Sequence, residues 1–419
     1  MWISLVIFVV TYGLIIWDRL DRMVVALSGA VLMIIFRIIS QETAFKEIDL
    51  NTIGLLIGMM IIVMVTKRTG VFEYLALKMV KAAKGEPFRI IILLGLVTGI
   101  LSAFLDNVTT ILLILPITLS VSRDLKITPI PFLIAEVFAS NVGGTATLIG
   151  DPPNIIIGSA TGFTFGDFLI NNGPVILPLL LITSAAFALL YKKKLTASEE
   201  VKAEVLSLDE KTFIKDKKLL IKSILVLVGV IAGFLFHGVL HYDSATIAMA
   251  GGVLLLLISG IRAEKIIHEV EWKTIFFFVG LFIMVGGLKE TGIIQIMAEQ
   301  VLKLTEGNPT LATLGILWVS ALASAFVDNI PFVTTMVPLI KELGVISGMD
   351  TTPLWWALSL GACLGGNGTI VGASANVIAV GMAEELGYKI TFRKFFRVAF
   401  PLMLFTIVVA SGFLVARYS

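Results

Sequence analysis

Residues 102–116 read SAFLDNVTTILLILP and place one carboxylate, Asp106, inside an otherwise apolar run. Residues 324–338 read SAFVDNIPFVTTMVP, which repeats the pattern at an offset of 222 residues and places Asp328 at the matching position. A carboxylate inside a bilayer is costly unless something compensates its charge, and it therefore marks a functional site. The asparagine and hydroxyl residues around each aspartate favour caps and turns over helix interiors. Each Asp-Asn pair is therefore predicted to break a helix near the bilayer centre.

The composition is that of a membrane protein. The chain has 419 residues, of which 57% are hydrophobic and 15% are charged, and its mean hydropathy is +0.99. Soluble domains lie far from these values, so the sequence excludes a soluble binding module. It predicts a multi-pass protein of the cell inner (plasma) membrane, with the lipid bilayer as its partner. The basic residues are spread through loops and form no single face, so no nucleic-acid partner is expected.

Apolar segments of spanning length predict an all-α polytopic fold with about ten transmembrane helices, two re-entrant helical hairpins and two broken helices. The hairpins are expected at about residues 88–121 and 310–345, each with one Asp-Asn break. The broken helices are expected at about 128–163 and 353–387, where glycine-rich polar stretches interrupt apolar ones. An amphipathic segment before each hairpin is typical of a helix that lies in the membrane interface.

The offset of 222 residues extends over most of the chain, pairing Gly143 with Gly365 and Asn154 with Asn376. Each copy holds five spanning segments and one hairpin, and an odd number of crossings inverts the second copy relative to the first. The predicted units are a first inverted repeat over residues 1–190, a charged cytoplasmic linker over 191–219 and a second inverted repeat over 220–419.

The distribution of lysine and arginine supports this inversion, because cytoplasmic loops carry an excess of both residues. With the N- and C-termini outside, 26 of the 32 basic residues fall in segments that face the cytoplasm, Arg22 among them. The first hairpin then enters the membrane from the cytoplasm and the second from outside.

The four breaks supply the candidate binding residues, because inverted repeats with broken helices place a site near the midplane between the two copies. Glycines let the backbone approach an ion, and Pro152 and Pro153 prevent a helix from continuing into them. The alternative is that the small residues only permit close helix packing. The candidate substrate- and ion-binding residues are Asp106, Asn107, Thr109, Thr145, Thr147, Asn154, Asp328, Asn329, Asn367, Thr369, Ser374 and Asn376.

Freed carbonyl groups and the Asp and Asn side chains provide hard oxygen ligands suited to Na⁺, and half-helix N-termini suit an anion. A sodium site is predicted at Asp106, Asn107, Asp328 and Asn329. A desolvated aspartate can hold a proton instead, so both Na⁺ and H⁺ stay open as the coupling ion.

Two further acids have no acidic counterpart in the other copy. Glu136 matches Leu358 and is a candidate coupling residue, with a structural pairing to a polar neighbour such as Ser140 as the alternative. Asp151 matches Ala373 and is either a coupling residue or a cap for the half-helix that follows it.

An enzyme is not predicted, because no nucleophile and base pair, phosphate loop or metal-ligand spacing is present. No cofactor is expected beyond the coupling ion. The single cysteine, Cys363, matches Asn141 and is interpreted as a small packed residue.

The motifs SAFLDN, GGTATLIGDPPN, SAFVDNIPF and GACLGGNGTIVGASANVI closely resemble the melanosomal P protein and its prokaryotic relatives. These proteins belong to the ion transporter superfamily, with arsenite permeases, D-type sodium/proton antiporters and, more distantly, sodium-coupled dicarboxylate and citrate carriers. The likeness covers residues from about 45 to 416. It implies an elevator mechanism, in which a mobile domain carries both hairpins past a scaffold, and a homodimer.

The dicarboxylate carriers have Ser-Asn-Thr at both hairpin tips, where these residues contact sodium and the substrate carboxylate. In this sequence the tips read Asp106-Asn107-Val108 and Asp328-Asn329-Ile330. The extra negative charge opposes a di- or tricarboxylate and favours a bound cation, so cation binding is expected to precede anion binding.

The predicted function is secondary active transport of a small inorganic ion, such as arsenite, antimonite or another anion, coupled to Na⁺ or H⁺. The main alternative is a sodium/proton antiporter. A dicarboxylate or citrate carrier and a channel-like anion conductance are further alternatives.

Overall fold

The protein is built from helices. A computed structural model describes residues 1–17, 19–207, 209–240 and 242–418. Over these ranges the regular elements are 22 α-helices and four short 3-10 helices, with no strand among them.

The first half of the chain contains the helices α1 (Trp2–Trp17), α2 (Arg22–Ile35), α3 (Gln41–Lys46), α4 (Leu50–Lys67), α5 (Val71–Ala82), α6 (Pro87–Leu105), α7 (Asn107–Asp124), α8 (Ile130–Gly144), α9 (Pro152–Thr161), α10 (Phe165–Asn171), α11 (Gly173–Tyr191) and α12 (Glu199–Ser207).

The second half contains α13 (Lys217–Leu240), α14 (Ser244–Ser259), α15 (Ala263–Ile267), α16 (Trp272–Glu290), α17 (Ile293–Leu304), α18 (Pro309–Phe326), α19 (Asn329–Ser347), α20 (Thr352–Gly365), α21 (Ser374–Glu385) and α22 (Phe392–Tyr418). The 3-10 helices cover Lys192–Lys194, Glu210–Phe213, Gly366–Gly368 and Ile370–Gly372.

Within the described residues, eight helices are long and apolar enough to cross a membrane, and α1, α2, α8 and α14 are shorter apolar helices. The predicted all-α polytopic membrane fold is therefore confirmed. The helices of the first copy recur in the second: α1 to α9 match α13 to α21, and α10 with α11 matches the single long helix α22.

Two ion pairs establish that the copies run in opposite directions. Glu47, just before α4, binds Lys289 in the last turn of α16 at 2.8 Å. Arg68, at the end of α4, binds Glu269, just before α16. The start of α4 thus lies beside the end of α16, and the end of α4 lies beside the start of α16. Because α16 is the counterpart of α4, the repeats are inverted, as the crossing count predicts.

Four helices form the central seam, where α2 packs along α16 and α4 packs along α14. A methyl group on Gly280 would lie 2.7 Å from the Ala26 carbonyl carbon, and one on Gly58 would lie 2.4 Å from that of Ala248. Backbones approach this closely only where small residues meet, which is how membrane helices associate tightly. The hairpins pack against this seam, with α19 on α16 and both α6 and α7 on α4.

Both predicted Asp-Asn breaks are present. Helix α6 ends at Leu105 and α7 begins at Asn107, while α18 ends at Phe326 and α19 begins at Asn329. The paired helices span residues 87–124 and 309–347, a few residues longer than the predicted hairpins. Asp106 has φ 111° and ψ 154°, a backbone region that costs a residue with a side chain about 1–3 kcal/mol.

The linker is more ordered than its charged composition suggests. It forms α12, whose Val201 and Val205 are buried. Lys202 binds Glu86 at 2.7 Å, and its salt bridges to Glu199 and Glu86 raise the pKa of the lysine. The linker therefore packs against the foot of the first hairpin instead of extending into solvent.

The packing of α6 on α8 yields a first prediction. A Cβ at Gly143 would lie 2.0 Å from the Gly99 carbonyl oxygen, a backbone atom that cannot move aside. Gly143→Ala should therefore separate the two helices and destabilise the protein by about 1–3 kcal/mol. Thermal unfolding of purified protein in detergent would measure the change.

Gly381→Ala is the matched control, because Gly381 also lies in a helix and has nothing within 4 Å of its Cβ direction. This variant should be neutral or slightly more stable. Equal melting temperatures for the two variants would contradict the packing argument.

Candidate functional site

The two broken helices are held open by the same hydrogen bonds in each copy. Asn154 donates to the Thr147 carbonyl at 2.8 Å, and Asn376 donates to the Thr369 carbonyl at 2.8 Å. These amides occupy carbonyl groups that the interrupted helices leave without intrahelical partners. The side chains of Asn154 and Asn376 thus stabilise the breaks by hydrogen bonding to their backbone.

Each break is also tied to the first arm of its hairpin. Ser102 donates to the Ser140 carbonyl at 2.7 Å, and its counterpart Ser324 donates to the Ala362 carbonyl at 2.7 Å. The Thr147 and Thr369 hydroxyls donate to the Ala103 and Ala325 carbonyls. Hairpin and broken helix therefore form one unit in each copy.

Asn141 links these units to each other. Its side-chain oxygen accepts from Asn107 at the first hairpin tip at 3.0 Å. Its amide donates to Asn367 at 3.1 Å and Asn376 at 2.9 Å, both in the second broken helix. All four asparagines are at most 2% exposed. A buried asparagine cluster thus joins the two copies at their centre.

Asp151 is the acid of the first broken helix and is fully buried. Its carboxylate makes no capping bond to α9, so the capping alternative is wrong. Instead it accepts from Asn329 at the second hairpin tip at 3.2 Å and contacts the Cys363 thiol. It also lies within Coulombic range of Asp106 and Asp328. Three carboxylates therefore share one electrostatic neighbourhood.

Asp106 has no cationic partner within the described ranges. One oxygen accepts from the Thr109 amide at 2.8 Å, which caps α7. Glu271, at the start of α16, is near enough to add a second negative charge to its surroundings. The carboxylate is 7% exposed. A buried acid whose nearby charge is also negative favours a bound cation or a proton.

Asp328 has different surroundings, although it is the counterpart of Asp106. Its Oδ2 accepts from Arg22 Nη1 at 2.9 Å and from the Ser374 hydroxyl at 2.6 Å. Its Oδ1 accepts from the Ile330 amide at 3.1 Å. Its charge is therefore compensated within the protein by an arginine that lies outside the hairpin.

The two tips lie at the same end of the central seam. Arg22 begins α2, and Glu271 immediately precedes α16. Asp21 and Lys273 join these helix starts with a 2.9 Å ion pair, which lowers the pKa of Asp21. Asp328 thus contacts the N-terminal end of α2, and Asp106 lies within Coulombic range of the residue that precedes α16. The midplane depth of the two tips stays a prediction.

Glu136 lies apart from the asparagine cluster and is fully buried between α7 and α8. Its Oε1 accepts from the Thr118 hydroxyl at 2.6 Å, while its Oε2 has no partner among the described residues. Glu136 thus pairs with a polar neighbour, as the structural alternative expects, but this neighbour is Thr118 and not Ser140. The Ser140 hydroxyl lies 3.1 Å from both Ser102 Oγ and the Asn107 carbonyl oxygen.

The remaining predicted residues divide by their contacts. The Thr109 and Ser374 side chains contact the carboxylates of Asp106 and Asp328. The Thr145 hydroxyl bonds within its own helix, to the Asn141 carbonyl at 2.7 Å. Like Thr147 and Thr369, Thr145 therefore has its hydroxyl engaged by backbone.

Sequence reasoning missed several residues of the site. Arg22 was counted only as a loop charge, and its counterpart is Ser244, so the repeat gave no signal for it. Asn141 has Cys363 as its counterpart. Asn172 bridges the Thr145 carbonyl and Ser359. A search for buried polar residues without a polar counterpart would have found Asn141 and Asn172.

A cavity of about 530 Å³ lies at the other end of the seam, between α16 and the second hairpin. Its lining includes Asp49, Lys289, Gln295 and Lys341, and none of the three central aspartates. In the part of the chain that the structure describes, no three His, Cys, Asp or Glu side chains form a cluster that could hold a metal.

The comparison with known families agrees with this architecture. Residues 12–361 match the family CitMHS, described as "Citrate transporter". The chain belongs to this family. It is a multi-pass membrane transporter of the CitMHS and P protein type.

Among individual relatives, the chain is 44% identical to a 46 kDa membrane protein of Mycobacterium leprae, over 99% of this chain and 98% of that protein. It is 45% identical to an uncharacterized transporter of Mycobacterium tuberculosis, with the same coverage. The human P protein is 35% identical over 97% of this chain, which spans 59% of that longer protein.

Among solved structures, the YdaH transporter of Alcanivorax borkumensis has a similar fold, with a TM-score of 0.61 and 14% identity. The match covers 89% of this chain and 86% of that one. At this identity the likeness concerns the fold alone. The solved structure is described as having an unusual topology.

The asparagine cluster yields a second prediction. Asn141→Ala removes the shared partner of Asn107, Asn367 and Asn376 in a fully buried place. Each polar group left without a partner costs about 1–3 kcal/mol. The melting temperature in detergent should fall clearly. Transport should be lost because the hairpin and broken-helix units of the two copies are no longer hydrogen-bonded to each other.

Cys363→Ala is the matched control, since Cys363 is the symmetry counterpart of Asn141 and is equally buried. Its thiol is a weak hydrogen-bonding group, so the fall should be smaller. An equal or larger fall for Cys363→Ala would refute the central role assigned to Asn141.

Proposed function

We propose that the protein is a secondary active transporter in which a cation, Na⁺ or H⁺, binds at the hairpin tips and couples to the movement of a small ion. One observation carries the proposal: Asp106 and Asp151 are buried at helix breaks, and no Lys, Arg or His in the described ranges forms an ion pair with either. A buried carboxylate needs a positive partner, and a transported cation provides one.

The ligands around these acids suit an alkali cation. The Asn107, Asn141 and Asn329 side chains supply amide oxygens, and the interrupted helices supply backbone carbonyl groups. Hard oxygen ligands of this kind are typical of sodium sites in transporters with broken helices. The strained backbone at Asp106 is also typical of a functional position.

Glu136 supports protons as an alternative or additional coupling ion. Its Oε2 is buried without a partner among the described residues, and Thr118 is its hydrogen-bond partner on the first hairpin. A carboxyl group in such a place can gain and lose a proton as the hairpin moves. The protonation of Glu136 would then depend on the position of α7.

For the cargo we favour a small inorganic species such as arsenite, antimonite or another anion. Two of the three central aspartates remain uncompensated, and their charge opposes a tricarboxylate unless cations bind first. A sodium/proton antiporter is the main alternative, because the same acids suffice for it. Citrate transport, named in the description of the family, is a further candidate, as are dicarboxylate transport and channel-like conductance.

The proposed mechanism is of the elevator type, in the plasma membrane and as a homodimer. It is supported by the way in which each hairpin packs with the broken helix of the other copy, α7 with α21 and α19 with α9. These elements form one body that can move against the seam of α2, α4, α14 and α16.

Cation binding should be visible as stabilisation. Sodium chloride, compared with choline chloride at equal ionic strength, should raise the melting temperature of the purified protein. At a sodium concentration 100 times the dissociation constant, the free energy of unfolding should increase by about 2.7 kcal/mol. If the cation is a proton, acidification in choline should have this effect instead. Asp106→Asn combined with Asp328→Asn should lose most of the response.

Asp124→Asn is the matched control, because Asp124 ends the same helix that Asp106 begins and lies in an exposed position. Its response should equal that of the native protein. An undiminished response in the double variant would mean that the cation binds elsewhere.

Transport itself distinguishes the candidate functions. In vesicles that contain the protein and a pH-sensitive dye, sodium alone should change the internal pH if the protein is an antiporter. If the cargo is an anion, a cation-dependent signal should appear only with arsenite, antimonite or citrate present. Glu136→Gln should abolish the proton movement while sparing sodium-induced stabilisation.

The vesicle experiment also has a clear negative outcome. Ion currents far above the turnover rates of carriers would identify a channel and refute secondary transport. A signal that is the same in vesicles with Asp106→Asn would remove this aspartate from the mechanism.

A further inference from the structure

Arg22 makes the two hairpin tips chemically unequal. It lies at the start of α2, on the central seam, whereas its partner Asp328 lies on the second hairpin. The ion pair is largely buried, with the Arg22 side chain 17% exposed and that of Asp328 1% exposed. The counterpart of Arg22 is Ser244, which cannot pair with Asp106 in the same way.

A second side chain reinforces this contact. The Tyr12 hydroxyl on α1 donates to the Pro331 carbonyl at 2.8 Å and lies 2.8 Å from the Thr335 hydroxyl. Its counterpart is Phe234, which has no hydroxyl. The second hairpin is therefore fastened to α1 and α2 by polar contacts that the sequence provides for one copy only.

The ion pair occupies the positions that a cation would need. Asp328 Oδ2 already accepts from Arg22 and Ser374, and Oδ1 accepts from the Ile330 amide. Guanidinium and sodium compete for the same oxygen, because both are held by its negative charge. At Asp106, by contrast, the structure holds no competing side-chain cation among the described residues.

We propose that Arg22 is a tethered counter-ion that competes with the transported cation for Asp328. Sodium reaches Asp328 only after the hairpin moves away from α2, whereas Asp106 is open to sodium before that movement. The inference rests on the proposed cation-coupled function and specifies the order in which the two aspartates are used. Arg22 is thus a positioning residue that sets the apparent cation affinity.

The direct test is sodium-dependent thermal stabilisation of the full chain in detergent, titrated with sodium chloride against choline chloride. Arg22→Gln removes the competitor and should lower the sodium concentration for half-maximal stabilisation roughly tenfold, since a charge-assisted hydrogen bond is lost. Arg22→Gln with Asp328→Asn should lose this gain, because the freed carboxylate is gone.

Lys273→Gln is the matched control. Lys273 lies at the same end of the seam and pairs with Asp21, but its side chain is 79% exposed and does not contact Asp328. The variant Lys273→Gln removes one positive charge from the same region as Arg22→Gln. It therefore shows how much of any shift comes from the general change in electrostatic potential. Its sodium titration should overlay that of the native protein.

The outcomes separate this inference from the proposed function. A native sodium response that Arg22→Gln leaves unchanged, or that Lys273→Gln shifts equally, overturns the role of Arg22 while leaving cation binding in place. No sodium response in any of these proteins overturns both.

Arg22→Gln leaves a buried aspartate without its partner, which can prevent folding. Arg22→Lys keeps the charge but loses the planar guanidinium geometry, so it should fold and give a smaller shift in the same direction. A shift toward weaker sodium binding in Arg22→Lys would overturn the proposal.

Discussion

The structure depends on one constraint, that a chain inside a membrane must satisfy its own polar groups. Breaking a helix there frees carbonyl and amide groups that water cannot reach. In this protein Asn154 and Asn376 occupy the freed carbonyl groups of the two broken helices in matching ways. Ser102 and Ser324 then fasten each break to its hairpin. Irregular backbone is stable at the centre of the molecule because these side chains complete its hydrogen bonds.

The same constraint explains why buried polar side chains concentrate at the breaks. Asn141 satisfies both copies at once, so the hairpin tip and the opposite broken helix share one hydrogen-bonded cluster. Asp151 lies within Coulombic range of both Asp106 and Asp328. A change of charge at Asp151 therefore alters the electrostatic energy of the other two carboxylates.

Much of this arrangement could be predicted from the sequence. The repeat, the Asp-Asn breaks at Asp106 and Asp328, and the inversion follow from the spacing, the helix-breaking chemistry and the basic residues. These features are local or periodic, so one sequence suffices. The partner of Asp328 could not be predicted, because Arg22 is 306 residues away and has no counterpart in the repeat. The partners of Asp151 and Glu136 are likewise set by packing across helices.

The inequality between Asp328 and Asp106 has a consequence for how such a molecule can arise. Two separate, identical half-size polypeptides assembled face to face would carry an arginine contact on both sides or on neither. Joining the halves in one gene allows each to change alone. Arg22 opposite Ser244 is a difference of this kind. The fused chain can therefore give its two hairpin tips unequal contacts within a two-fold scaffold.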